Sequence, residues 1–114
     1  MAAESPTTPS IDDRALAEMV RRLVEVYHPD RVYLFGSVAR GEAGPDSDYD
    51  IMVVVPDHAP AQQAVSRVGY RAVRDLGLPR DIFVWKSSDF ARQLHLKASL
   101  PSTIVREGRL LYGN

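Results

Sequence analysis

The chain contains no cysteine among its 114 residues. That excludes a disulfide framework, a thiol nucleophile and a zinc–thiolate centre, and it fits a cytoplasmic protein. Lysine is nearly missing. Lys86 and Lys97 are the two present, and arginine supplies every other positive charge. The net charge is −1, which argues against nucleic acid as a partner. With no global basic field, any phosphate must be held locally. No apolar run approaches the roughly 18 residues of a membrane span. The start, MAAESPTTPS, lacks the basic residues and apolar core of a signal peptide. No GxxxxGK(S/T) string occurs, so there is no P-loop. His28, His58 and His95 are scattered without metal-ligand spacing, and Ser37 has no evident histidine–acid partners for a hydrolase triad. What remains is 45% hydrophobic and 25% charged, a balance that supports one globular domain with its own core.

Residues 1–10 are small and polar with two prolines, the composition of a mobile tail. Residues 11–114 read as the domain. Ser10 suits the N-cap of a first helix, with Asp12 and Asp13 where negative charge meets the helix dipole. Ile11, Leu16, Met19, Val20, Leu23, Val24 and Tyr27 recur at helical spacing, and Pro29 ends the run. Strands are expected at 31–35, 48–55, 80–85 and 109–112. Between them the pattern predicts a helical turn at 38–41, a loop at 42–47 and a helix from 61 to about 75 closed by Gly77. A further helix from Ser87 or Ser88 to about residue 97 and a short one at 102–107, opened by Pro101, complete the order. Strands alternating with helices imply an α/β fold, a small sheet of about four strands with helices packed against it. The short link between the first two strands could serve a parallel or an antiparallel pair.

The stretch RVYLFGSVARGEAGPDSDYDIMVVVP, residues 31–56, organises the rest. Gly36 and Ser37 end the first strand and open a helical segment. Glycine lets backbone approach a ligand closely, and helix-start N–H groups carry partial positive charge, so together they suit a phosphate. Arg40, one turn on, could add a charge-assisted contact. Taken alone, the pair reads more readily as a tight turn and Arg40 as a solvated side chain. Asp48 and Asp50 stand two apart, so on a strand they point to one face, roughly 6–7 Å apart at Cα. Paired carboxylates resist burial unless a cation lies between them, and hard oxygen donors suit Mg2+; otherwise the two acids mark an exposed, polar strand entry. Asp81 opens the third strand with Phe83 and Trp85 on its face. It completes a three-acid cluster if that strand neighbours the second. Otherwise it pairs with Arg80 or caps the strand. Tyr49 should turn from the acids into packing.

The string GSVARGEAGPDSDYD, with ten residues between Gly36-Ser37 and Asp48-x-Asp50, resembles the signature of the DNA polymerase β-like nucleotidyltransferase superfamily. The longer LFGSVARGEAGPDSDYDIMVVV is similar to the minimal nucleotidyltransferase (MNT) proteins. RDIFVWKSSDF resembles the family's third-acid strand and the helix after it, and IVREGRLLYG its closing helix and strand. The likeness covers about residues 11–113.

The resemblance implies the nucleotidyltransferase fold and transfer of a nucleoside monophosphate with two Mg2+ ions. Gly36 and Ser37 would hold the β- and γ-phosphates, with Arg40 beside them. Asp48 and Asp50 would bind both metals. Asp81 would bind the metal that activates the acceptor hydroxyl. MNT proteins commonly pair with a small helical HEPN toxin, and the MNT antitoxin can adenylylate a toxin tyrosine from ATP. A HEPN partner is therefore the leading expectation. The alternatives are transfer to a small molecule or an RNA end, and an antitoxin that neutralises its partner by binding alone. The first helix's apolar stripe and Trp85 could also serve an oligomer interface.

Overall fold

The computed structural model describes residues 13–42 and 47–114. The expected tail at 1–10, the Ser10 cap with Ile11 and Asp12, and most of the 42–47 loop lie outside the described residues.

A helix α1 (Asp13–Tyr27) leads into strand β1 (Arg31–Phe35) and a single-turn helix α2 (Gly36–Ala39). Strand β2 (Tyr49–Val55) follows, then α3 (Ser66–Val73) with a tighter turn over Arg74–Leu76. The chain closes with β3 (Arg80–Lys86), α4 (Ser87–Arg92), α5 (Leu100–Glu107) and β4 (Arg109–Tyr112). The sheet order is β3-β2-β1-β4. β1 runs antiparallel to both β2 and β4, while β2 and β3 are parallel. The link that sequence spacing left open thus joins an antiparallel pair.

Strand alternation divides the core between the two sheet faces. Val32 and Leu34 of β1, with Tyr49, Ile51, Val53 and Val55 of β2, bury against α1 and α3 through Leu16, Met19, Leu23, Tyr27 and Val73. The other face carries Tyr33, Met52 and Val54 under Phe90 of α4 and Ile104 of α5. β2 is the central strand and is fully buried from Ile51 to Val55, which is why it reads as an unbroken apolar run rather than an alternating one. Tyr49 is buried in the first cluster, as expected. Among the described residues, no helix is long and apolar enough to cross a membrane.

Two helices are shorter than the periodicity predicts. The segment from 61 begins as an isolated turn, with Gln63 and Ala64 N–H groups donating to the Pro60 carbonyl. Val65 is extended, and α3 starts at Ser66. Here the Tyr27 hydroxyl donates to the Val65 carbonyl at 2.7 Å and accepts from the Gly69 N–H at 2.7 Å. It stands between a donor and an acceptor that would otherwise bond each other along a helix. A Cβ on Gly69 would lie 2.8 Å from that hydroxyl, so glycine is what admits the tyrosine. α4 stops at Arg92 because the Gln93 carbonyl is taken by the Leu96 N–H and the Ser99 hydroxyl. Leu94 and Leu96 are exposed and offer no face to bury. Ser99, rather than Pro101, opens α5, accepting from the Ser102 N–H at 3.2 Å. Neither Ser87 nor Ser88 caps α4 with its side chain. The Asp57 carboxylate instead accepts from the Ser88 N–H at 2.9 Å.

Candidate active site

The sheet brings the end of β1 and the starts of β2 and β3 to one edge of the molecule. In register, Phe35 stands opposite Asp50, and Asp50 opposite Asp81. By alternation, Asp50 and Asp81 share the face that carries Met52 and Phe83. Of the outcomes weighed for Asp81, the neighbouring strand is therefore the one found. Arg80 does not pair with it. The Arg80 guanidinium lies over the Tyr70 ring and donates to the Leu78 carbonyl at 3.0 Å.

Gly36 has φ +77°, a conformation in which a side chain is strained. A Cβ there would also run into the Asp50 carboxylate, overlapping Oδ2 and lying 3.1 Å from Cγ. The backbone turn and the acid are thus in direct contact, fourteen positions apart in sequence. Ser37 follows in the first turn of α2, where the leading N–H groups have no partner within so short a helix. Arg40 caps the C-terminal end of α2 and is exposed, its Nε 3.0 Å from Glu42 Oε1. Its positive charge lowers the Asp50 carboxyl, against the other influences there.

Asp48 stands one residue before β2 and is exposed. Asp81 is exposed and Asp50 partly covered. Burial pushes the Asp50 carboxyl above the ordinary carboxylate range, and the charges of Asp81 and Asp48 push it further. Arg40 opposes them. Those couplings put Asp81 and Asp48 each within electrostatic reach of Asp50. As placed, no three His, Cys, Asp or Glu side chains among the described residues converge closely enough to grip an ion by themselves. The donor set nevertheless suits a divalent cation. It is all carboxylate oxygen, it carries excess negative charge, and one member resists ionising until a cation compensates it.

One feature was not singled out from sequence. The Phe35 and Phe83 rings pack at 5.5 Å between centroids, tilted by 55°, and form an apolar floor beside the Asp50–Asp81 pair. Phe83 is 38% exposed. Its alternation with Asp81 was visible, but its partner Phe35 lies on a strand whose place could be fixed only by the sheet order.

A comparison with proteins of curated function finds no match. Among solved structures, the chain is similar to the crystal structure of a Sulfolobus solfataricus protein whose assignment as a nucleotidyltransferase is provisional. The TM-score is 0.58 at 18% identity, over 99% of this chain and 94% of that one, a likeness of fold. The family model described as nucleotidyltransferase domain matches residues 14–111, nearly all of the described chain. A four-stranded mixed sheet that sets an acid pair against a Gly-Ser turn, with that match along its length, makes the protein a member of the nucleotidyltransferase domain family and a transferase of nucleotidyl groups.

Proposed function

We propose that the protein transfers AMP from ATP to a hydroxyl of another protein, a tyrosine of a cognate HEPN-type toxin, and so acts as its antitoxin. The contact of Gly36 with Asp50, which itself faces Asp81, carries the reading. It puts a backbone phosphate cradle beside a carboxylate pair. Gly36 and Ser37 hold the β- and γ-phosphates through backbone N–H groups, and Arg40 neutralises part of their charge. Asp48 and Asp50 would hold two Mg2+ ions, with Asp81 a further ligand for one of them. Bound there, such ions would supply charge neutralisation at the entering and leaving oxygens. Asp81 orients the acceptor hydroxyl and takes its proton as the oxygen attacks the α-phosphorus. The bond from that phosphorus to the bridging oxygen breaks, and pyrophosphate leaves.

The acceptor side supports a macromolecular acceptor. Asp81 lies on β3, an edge strand, and is exposed, so a hydroxyl on another protein's surface can reach it. The HEPN assignment rests on the likeness of LFGSVARGEAGPDSDYDIMVVV to MNT antitoxins. The test is to incubate the protein with ATP, Mg2+ and the protein encoded by the adjacent gene, then weigh that protein by mass spectrometry. An AMP-sized gain on a tyrosine is expected. No gain under conditions where the two associate contradicts the proposal.

A further inference from the structure

Beside the acids lies an arginine pocket that the transfer chemistry does not use. Arg67, Arg71 and Arg74 recur along one side of α3 and the turn after it, and Arg80 opens β3. With Tyr70 they line a concavity of about 240 Å³. Among the described residues, no carboxylate forms an ion pair with any of the four arginines. Among the described residues the acid–arginine pairs join Glu18 and Glu25 to Arg21, Glu18 and Asp75 to Arg22, Glu42 to Arg40 and Asp89 to Arg92. Arg80 Nε is buried with no hydrogen-bond partner, and a buried donor left unsatisfied is costly. Four guanidinium groups with no carboxylate partner among the described residues, in a protein of net charge −1, suit an anion.

Position says which ligand it serves. Arg80 and Asp81 are consecutive on the edge strand, and the Tyr70 hydroxyl accepts from the Ile82 N–H at 3.0 Å. The pocket therefore backs the same strand that presents Asp81, on the opposite sheet face. Gly36 and its phosphate cradle lie beyond Asp50, towards β1, so the pocket is separate from the nucleotide side. It adjoins the acceptor side. A nucleic acid strand needs a basic track with aromatic faces for its bases. Here the Tyr70 ring is covered by the Arg80 guanidinium, and no wider basic field extends the pocket. The fork geometry of arginine matches carboxylates equally well.

We infer that this pocket anchors an acidic segment of the acceptor protein, clamping it over the β3 edge so that a neighbouring hydroxyl meets Asp81. The inference rests on the reading of the acceptor as a protein. Fluorescein-labelled decaglutamate serves as the probe, its binding to the full chain followed by anisotropy. Wild type binds it, more weakly as salt rises. Arg71→Glu/Arg74→Glu weakens binding by about tenfold or more. Arg71→Lys/Arg74→Lys keeps the charge without the fork and falls between. Thermal melts show that each variant is folded, and the lysine pair decides alone if the reversal fails to fold. Equal binding by the folded variants, or none by wild type, overturns the anchor. Oligoadenylate of equal charge displacing the peptide at lower concentration overturns the partner class. Magnesium-dependent protection by ATP against heat reads the transfer site separately. It persists in Arg71→Glu/Arg74→Glu and is lost in Asp48→Ala/Asp50→Ala, and its absence from wild type would count against the nucleotide site and not the anchor.

Discussion

Asp50 and Asp81 face each other across the parallel strands β2 and β3, where two ionised carboxylates repel unless a cation or a proton compensates one of them. Burial and the Asp81 charge raise the Asp50 carboxyl above its ordinary value. Its neutral form is therefore favoured in the folded state. The stability this gives is complete below the ordinary carboxylate value and is lost as pH rises through the raised one. At neutral pH and without divalent ions, Asp50→Asn should melt above wild type. The gap should close as pH falls below 3.8, the unshifted value, and should shrink on adding Mg2+. Melts of both proteins across that range, with and without the ion, check this.

Gly36 and Gly41 both have positive φ, +77° and +74°, but their surroundings differ. A Cβ at Gly36 meets Asp50, whereas nothing lies within 4 Å of one at Gly41. Gly41→Ala should cost about 1–2 kcal/mol of conformational strain. Gly36→Ala should cost more, by about 1–3 kcal/mol for the displaced carboxylate, and should lose nucleotide binding. Urea unfolding of the two variants measures the difference. Equal losses would mean that the turn does not lean on Asp50.

Removing the Tyr27 hydroxyl strands the Gly69 N–H and leaves the Val65 carbonyl only the longer bond from the Val68 N–H, at 3.3 Å. Tyr27→Phe should destabilise the protein by about 1–3 kcal/mol. Burial pushes the Tyr27 hydroxyl up to about 12, so it stays a donor through any ordinary assay pH. Chemical denaturation gives the loss, and an unchanged midpoint would refute the role assigned to this bond.

Much of this was legible in the sequence, and the boundary falls where tertiary contacts begin. The four strands came from unbroken apolar runs bounded by Gly, Pro and Asp. Asp48-x-Asp50 and Gly36-Ser37 were visible because their relation is local. The start of α3 was not, since the residue that opens it, Tyr27, lies 38 positions before the Val65 carbonyl it binds. The early end of α4 has the same origin, a hydroxyl from Ser99 on the Gln93 carbonyl. Asp81 could be named from its strand but placed only by the sheet order, which no spacing encodes. The arginine pocket was hidden more completely, because a helical row of Arg67, Arg71 and Arg74 reads as an ordinary solvated face until Arg80 is brought beside it.

The Glu18 carboxylate is held down at about 2 by hydrogen bonds from Arg21 and Arg22, and Arg22 also reaches Asp75 Oδ1 at 2.5 Å. This ties α1 to the turn after α3. A depressed carboxylate stabilises above its ordinary value of 4.5 and ceases to do so as pH falls towards 2. Glu18→Gln should therefore melt below wild type at neutral pH, by a small and salt-sensitive margin because the pair is exposed. The two should converge near pH 2. A gap that persists there would point to packing and not to charge.

The most direct test of the account follows the label from ATP. With the HEPN-type partner and Mg2+ present, ATP labelled at the α-phosphate should mark the partner, while a γ-label should leave in pyrophosphate. Asp48→Ala/Asp50→Ala and Asp81→Asn should each abolish the α-transfer. Transfer of the γ-label, or undiminished α-transfer by the double alanine variant, would contradict it.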